Sequence, residues 1–490
     1  MTTPRAVALV VLAAVLVRIP FLTVLPSPDE AGLLLVGQQW GPGDSLYGDH
    51  WVDRPPLLIG VAAMAAHLGG VVALRVIGLV AVVVTVVACA ASAGRLAGDR
   101  AARWAAVAAA ILTVSPWLGA DRVNAELLAA PWTAVGLLAM ISAAKEPAGR
   151  WPAIAGAAAA AALMTKQNQA DVAVFALVLL LASVLGGRLR TGEAWRVAVG
   201  GLLGALTLTA LVVLAAWARG TDPLALADAL YAFRLRADEV LALDPGSGES
   251  DRRSELLVRC AVAGQLVLAV AVVVAPLVRR FRSPAAWALS ATVLFGCASI
   301  VAGGSWWNHY LVELSVPVAV GTGLIAARTR IAVPVVLAYA TAAALVGTVI
   351  LRPVVDAVDG PVAAGRMIGA AAAPGDSVVN AWGRPDLVFE SGLDSPYEHL
   401  WSLPVRTDDA HLATFGALVA GEEAPTWLVF AGRSVASWGL EAGGARRVVD
   451  RRYRKAGSVC GYQIWLLRGI ERSVPAPPRD VQCDPAFHLR

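Results

Sequence analysis

The sequence predicts a polytopic α-helical membrane protein of about eleven transmembrane helices, followed by a C-terminal extracytoplasmic α/β domain. Three observations predict it. Of 490 residues, 58% are hydrophobic and only 16% charged, and the mean hydropathy is +0.66; so low a charge fraction in so long a chain does not fit a soluble protein. The charges gather in short clusters between long apolar runs. Beyond residue 352 the composition turns abruptly polar. The net charge of +4 is small and sits in loops, which excludes a nucleic-acid footprint and leaves the lipid bilayer as the partner surface.

A span needs roughly 20 apolar residues. On that rule spans fall near 5–25, 56–94, 102–118, 127–144, 152–165, 170–187, 197–217, 256–278, 285–303, 309–327 and 331–351. The second segment is weak from His67 to Arg75, as expected of a short helix leaning on the preceding loop before the true span. Arg5 to Leu25 carries Arg18 and Pro20 and lacks a small-residue cleavage site, so it reads as a retained first span. With the N-terminus cytoplasmic, Arg95, Arg100, Arg103, Lys145, Arg150, Arg188, Arg190, Arg196, Arg279, Arg280, Arg282, Arg328 and Arg330 all fall inside. That satisfies the positive-inside bias and puts the acidic first loop (26–56) and the C-terminal domain outside the cytoplasmic membrane.

Residues 1–351 thus form the transmembrane module and 352–490 the soluble domain. In the domain, SVVNAW, TWLVFAG and YQIWLLR read as strands among helix-compatible stretches. Residues 219–255 contain LALADALYAFRLRADEVLAL, an amphipathic helix for the membrane surface. Cys89, Cys260 and Cys297 lie in apolar segments and read as packing residues. Cys460 and Cys483 lie in the polar tail, where an oxidising exterior allows a disulfide.

Four loops on the same side carry the polar residues. The first holds Asp29, Glu30, Asp44, Asp49 and Asp53 with one cation, Arg54, and the aromatics Trp40, Tyr47 and Trp51. The second, GADRVNAELL, holds Asp121, Arg122, Asn124 and Glu126; the third, LMTKQNQAD, holds Lys166, Gln167 and Asn168. The fourth, GGSWWNHYLVELSVP, holds Trp306, Trp307, His309, Tyr310 and, one turn deeper, Glu313. Ionisable groups at the bilayer boundary are costly and mark function. Glycosyl transfer from a lipid phosphate needs this set: a carboxylate to take the acceptor's proton, and cations to meet the charge growing on the departing phosphate.

SPDEAGLL, WVDRPPLL, NAELL, TKQ and NHYLVELSVP together resemble the bacterial branch of the integral-membrane GT-C glycosyltransferases. That group includes protein O-mannosyltransferase-like, aminoarabinose-transferase-like and RgtA/B/C/D-like enzymes. The resemblance covers nearly the whole chain. It implies an inverting transferase that moves a sugar from a polyprenyl-phosphate donor to a cell-envelope acceptor (polysaccharide, lipoglycan or protein) at the outer membrane face. The first-loop acidic pair of the family maps onto Asp29, the base, and Glu30, with the second-loop acid at Glu126. The cation contacting the donor phosphate maps onto Arg54, joined by Lys166 and Arg122. Asp53, Asn124, Gln167, Trp306, His309 and Tyr310 are expected at the substrates. This chain has Asp-Arg where some relatives have Glu-Lys, so a divalent metal at Asp53 and His309 is left open, and no other cofactor is expected.

Plainer readings compete. Asp29 and Glu30 also suit the N-terminus of the helix that AGLLLVGQQW begins. Asp44 and Asp49 sit beside glycines as turn residues do, Arg54 can simply pair with Asp53, and the tryptophans suit an interfacial belt. Arg18 and Arg75 read as structural. At the level of function the rivals are a transporter or flippase, which places charges in mid-bilayer broken helices, and a non-catalytic envelope-assembly protein.

Overall fold

The computed structural model describes residues 2–40, 45–47, 50–243, 249–431 and 443–483; Asp44 and Asp49 lie outside them. The helices run in chain order. The first five are α1 (Thr3–Arg18), α2 (Pro28–Gln39), α3 (Pro56–Leu68), α4 (Val71–Val114) and α5 (Ala125–Ala143). Then come α6 (Trp151–Leu163), α7 (Asp171–Leu185), α8 (Thr191–Ala218), α9 (Pro223–Ala227) and α10 (Phe233–Leu243). The second half of the bundle holds α11 (Glu249–Val262), α12 (Gln265–Val274), α13 (Pro284–Ala302), α14 (Ser315–Ala326) and α15 (Ala332–Val355).

Among the described residues seven helices are long and apolar enough to cross a membrane, or eight if the bent pair α11–α12 forms one span. The long helix α4 is itself two legs, because Ala97 and Gly98 leave helical geometry and Gly98 takes φ +80°, a conformation open to glycine. Counting its legs separately and adding the shorter apolar helices α6 and α7 recovers the expected eleven crossings. The helix α3 is the short element beside the first loop.

The packing is that of a membrane bundle. Helix seams are built from Ala and Gly, while Leu9, Leu12 and Leu16 of α1 and Leu203, Leu206 and Leu211 of α8 face outward, each more than half exposed. Gly156 lies so close to α8 that a Cβ there would stand 1.7 Å from the Gly201 carbonyl oxygen. Cys89 and Cys260 are buried, but Cys297 is exposed on α13 and does not pack; a thiol on that apolar outer surface is an acceptable small hydrophobe.

The C-terminal region holds α16 (Gly360–Ala371), α17 (Pro385–Ser391), α18 (Ser402–Asp408), α19 (Ala413–Ala420) and α20 (Gly443–Arg452). These surround one sheet in the order β1 (Val378–Ala381), β2 (Trp427–Ala431), β4 (Tyr462–Leu467), β3 (Tyr453–Val459). β1 and β2 run parallel with Val378 opposite Trp427, whereas β4 is antiparallel to both β2 and β3. The strands at SVVNAW, TWLVFAG and YQIWLLR are the first, second and fourth; the third was not expected. A disulfide joins Cys460 and Cys483, closing a loop of sequence separation 23.

Gly156→Ala is expected to cost about 1–3 kcal/mol, as overpacking of a close seam does. The loss should show as a lower melting temperature in detergent, with Gly192→Ala, which meets open space, as the neutral control.

Candidate functional site

The site is built on α2. Ser27 caps this helix: its hydroxyl accepts from the Glu30 backbone N–H at 3.2 Å, and the Glu30 carboxylate accepts from the Ser27 backbone N–H at 3.0 Å. This reciprocal capping box, with Pro28 at the first position, fixes where the helix starts. It also separates the two neighbouring acids. Glu30 turns inward and is fully buried, while Asp29 stays partly exposed.

Glu30, expected among the catalytic residues, lies at a buried hub of hydrogen bonds. Its oxygens accept from Arg75 Nε at 3.0 Å and Nη2 at 2.9 Å, and from the Val123 backbone N–H at 3.0 Å. Burial pushes its carboxyl up, but the charge and hydrogen bonds of Arg75, joined by Arg122 and Ser27, outweigh this and bring it down to about 2. A carboxylate so engaged has no lone pair left for an acceptor's proton. The bland capping reading holds for Glu30.

Two further residues move to structural roles for the same reason. Arg122 donates to the carbonyls of Leu25 and of Val355 (2.7 Å) and faces Glu30 and Asp121, so backbone and neighbouring acids hold its guanidinium. Asn124 caps α5, accepting from Leu127 N–H at 2.8 Å and donating to Gly119 at 3.0 Å, instead of facing a substrate. Arg18 and Arg75 are structural as expected: both are buried and bonded to backbone carbonyls.

The remaining charges converge. Lys166 pairs directly with Glu126, and its ammonium stands 4.4 Å from the centre of the Tyr310 ring. His309 Nε2 lies 3.9 Å from Glu126, and its ring meets Tyr310 edge-on at 5.1 Å. Arg54 bonds Asp53 at 2.8 Å and remains 27% exposed. Partial burial works against its charge, but Asp53 first, then Asp29, Tyr310 and Glu126, hold its guanidinium above the ordinary value. Four loops distant in sequence therefore bring Asp29, Arg54, Glu126, Lys166 and Tyr310 within one electrostatic neighbourhood. Gln167 donates to the Asp53 carbonyl at 3.0 Å, which ties the third loop to the first.

Asp53 is held between two guanidinium groups, Arg54 and, from α10, Arg234. Sequence reading missed Arg234, because an arginine on an amphipathic surface helix carries no distinguishing signal. Its presence does not suit a divalent metal at Asp53 and His309: Asp53 faces cations, His309 faces Glu126, and no group of three metal-binding side chains forms among the described residues. Trp306 and Trp307 stand apart, under Arg253 and Arg252 of α11 at 5.3 and 5.2 Å, and line a small cavity with Glu255, Arg259 and Asn308.

The C-terminal region reaches this site, which sequence reading also missed. Trp401 Nε1 donates to Asp29 Oδ1 at 3.2 Å. The Trp51 N–H donates to the Glu398 carbonyl at 2.9 Å, and the rings of Trp51 and His399 meet edge-on at 6.0 Å. Burial lowers the His399 imidazole to about 4, so it sits there neutral.

A family model described as dolichyl-phosphate-mannose-protein mannosyltransferase matches residues 53–217. Among curated proteins, none has a matching sequence. The fold is similar to ArnT from Cupriavidus metallidurans bound to undecaprenyl phosphate, with a TM-score of 0.62 at 14% identity over 96% of this chain and 99% of that one. The same protein in its apo state gives 0.60 over 94% and 97% at 14% identity. The apo oligosaccharyltransferase of Archaeoglobus fulgidus gives 0.54 at 14% identity, over 86% of this chain and 69% of that one. The chain shares the overall fold of these solved structures.

Because Glu30 titrates lower when folded than its ordinary 4.5, it adds stability above that value and loses it as pH falls toward about 2. The stabilisation is about 3 kcal/mol. Melting temperature should fall between pH 4.5 and 2 in wild type. Glu30→Gln, which leaves Arg75 buried and uncompensated, should be destabilised at neutral pH and should flatten that dependence.

Proposed function

We propose that this protein is an inverting glycosyltransferase that moves a sugar from a polyprenyl-phosphate-linked donor to a cell-envelope acceptor at the outer face of the cytoplasmic membrane. The observation that carries it is the partly exposed carboxylate of Asp29, held by Trp401, in the same electrostatic neighbourhood as Arg54 and the Lys166–Tyr310–Glu126 group. The match to a mannosyltransferase family and the likeness to a protein bound to undecaprenyl phosphate support the donor class. The distribution of arginines supports an N-terminus in the cytoplasm, with residues 352–490 as an extracytoplasmic domain.

Asp29 is the base. It takes the proton of the acceptor hydroxyl as that oxygen attacks the anomeric carbon. The new carbon–oxygen bond forms on the face opposite the leaving group, so configuration inverts. The bond from the anomeric carbon to the phosphate oxygen breaks, and its electron pair leaves with the phosphate. Arg54 and Lys166 meet the charge that grows there, which needs no acid because phosphate departs as a stable anion. Glu126, which His309 also faces, holds the Lys166 ammonium in place, and Asp53, fixed by Arg234, does the same for Arg54. The aromatic ring of Tyr310 lies against the Lys166 ammonium and offers a face to the sugar.

Purified protein in nanodiscs should transfer or hydrolyse sugar from at least one member of a panel of polyprenyl-phosphate-linked hexoses and pentoses. Asp29→Asn should lower kcat by about 10²–10⁴-fold and leave donor affinity in place. Arg54→Ala should weaken donor binding by about tenfold or more as well as slowing turnover. A folded wild type that binds no member of the panel would sink the assignment.

A further inference from the structure

Three features of the junction between α2 and the C-terminal region fit together. Trp401 donates its indole N–H to Asp29 Oδ1, while Oδ2 accepts no hydrogen bond from any described residue. Gly32, one helical turn beyond Asp29, has no side chain where the Trp401 ring lies: a Cβ there would stand 2.3 Å from ring carbon Cζ2 and 3.0 Å from Pro385 Cγ. The segment leading to Trp401 is itself pinned to the first loop, through Trp51 N–H to the Glu398 carbonyl at 2.9 Å and through the parallel bridge of Trp51 with His399. Nearby, Arg236 of α10 reaches Asp408 of α18 at 3.3 Å.

We infer that Trp401 is a positioning residue for the base, so that the C-terminal region completes the catalytic site of the membrane module. The inference rests on Asp29 being the base. A carboxylate on the first turn of a helix has two free torsions, and a single turn about its second one exchanges the two oxygens. Holding Oδ1 with an indole N–H leaves Oδ2 as the oxygen that faces an incoming hydroxyl. Charge-assisted bonds of this kind are strong enough to select one orientation. Gly32 is what makes the reach geometrically available, because an indole cannot slide over α2 to Asp29 past a methyl group. The role therefore has two residues, one on each side of the contact: the donor, and the gap that admits it.

The test measures kcat, donor KM and donor Kd for full-length wild type, Trp401→Phe, Gly32→Ala, their combination and Asp29→Asn, using the polyprenyl-phosphate sugar that wild type turns over. Phenylalanine keeps an aromatic ring at this position, deletes the N–H donor and also removes the outer-ring carbons that lie over Gly32. Both single variants should lose about tenfold in kcat with donor KM and Kd unchanged, and the combination should lose no more than Trp401→Phe alone. Gly32→Ala adds helix propensity on an N-terminal turn, so a lower rate without a lower melting temperature separates positioning from destabilisation. Wild-type kcat in Trp401→Phe, with Asp29→Asn inactive, would overturn the positioning role and leave the base assignment standing. Full turnover by Asp29→Asn would remove the base assignment and this inference with it.

Discussion

The buried pair of Glu30 and Arg75 is the constraint on which the rest of the site depends. One carboxylate joins the start of α2, the first turn of α4 and the backbone that enters α5, and Arg75 adds the carbonyls of Val24 and Leu25. Such a pair, taken out of water, holds only where hydrogen bonds surround it, and here Glu30 accepts from Arg75, Ser27 and Val123 while Arg75 makes four bonds. Its effect is geometric. It sets the depth and the rotation of α2 against the bundle, and with Ser27 it turns Asp29 to the side where the other loops converge. The neighbouring acid thus owes its position to one that does no chemistry.

Seen this way the site has two layers of charge. The inner one, Glu30 with Arg75 and Arg122, is engaged largely with itself and with backbone carbonyls. The outer one, Asp29, Arg54, Lys166, Glu126 and His309, keeps unfilled hydrogen-bonding capacity, which the proposed charged lipid donor would use. Beneath them Asn168 donates to Glu313 at 3.0 Å and to Ser299 at 2.6 Å, linking the third loop to α13 and the fourth loop. The polar floor of the site is continuous with the helices that carry it.

Much of this was legible in the sequence because the relevant signals are local. Apolar run length gives the bundle, and acids and cations at the ends of runs mark the four loops. What was not legible is pairing. Asp29 and Glu30 are adjacent and chemically alike, and only tertiary partners tell the partly exposed acid from the buried one. Arg122 and Arg54 look interchangeable until backbone carbonyls are seen to occupy one of them. Asn124 reads as a polar loop residue, yet its position just before an apolar run was a capping signal that could have been used. The strand β3 escaped because YRKAGSV carries two cations and a glycine, and its burial follows only from lying at the sheet edge against β4. Trp401 and Arg234 escaped because both act on a residue far away in the chain.

The seams of Ala and Gly shape how this protein tolerates change. Gly156 against Gly201, Gly204 against Ala153 and Gly323 against Ala101 leave no room inside for even one added carbon. The outer surface, by contrast, carries large aliphatic side chains such as Leu9, Leu185 and Val349, each more than half exposed. A mutational map of the bundle should therefore invert that of a soluble protein, with the interior limited to the smallest residues and the periphery free to drift among apolar ones. Size would be the selected property within, and hydrophobicity alone without.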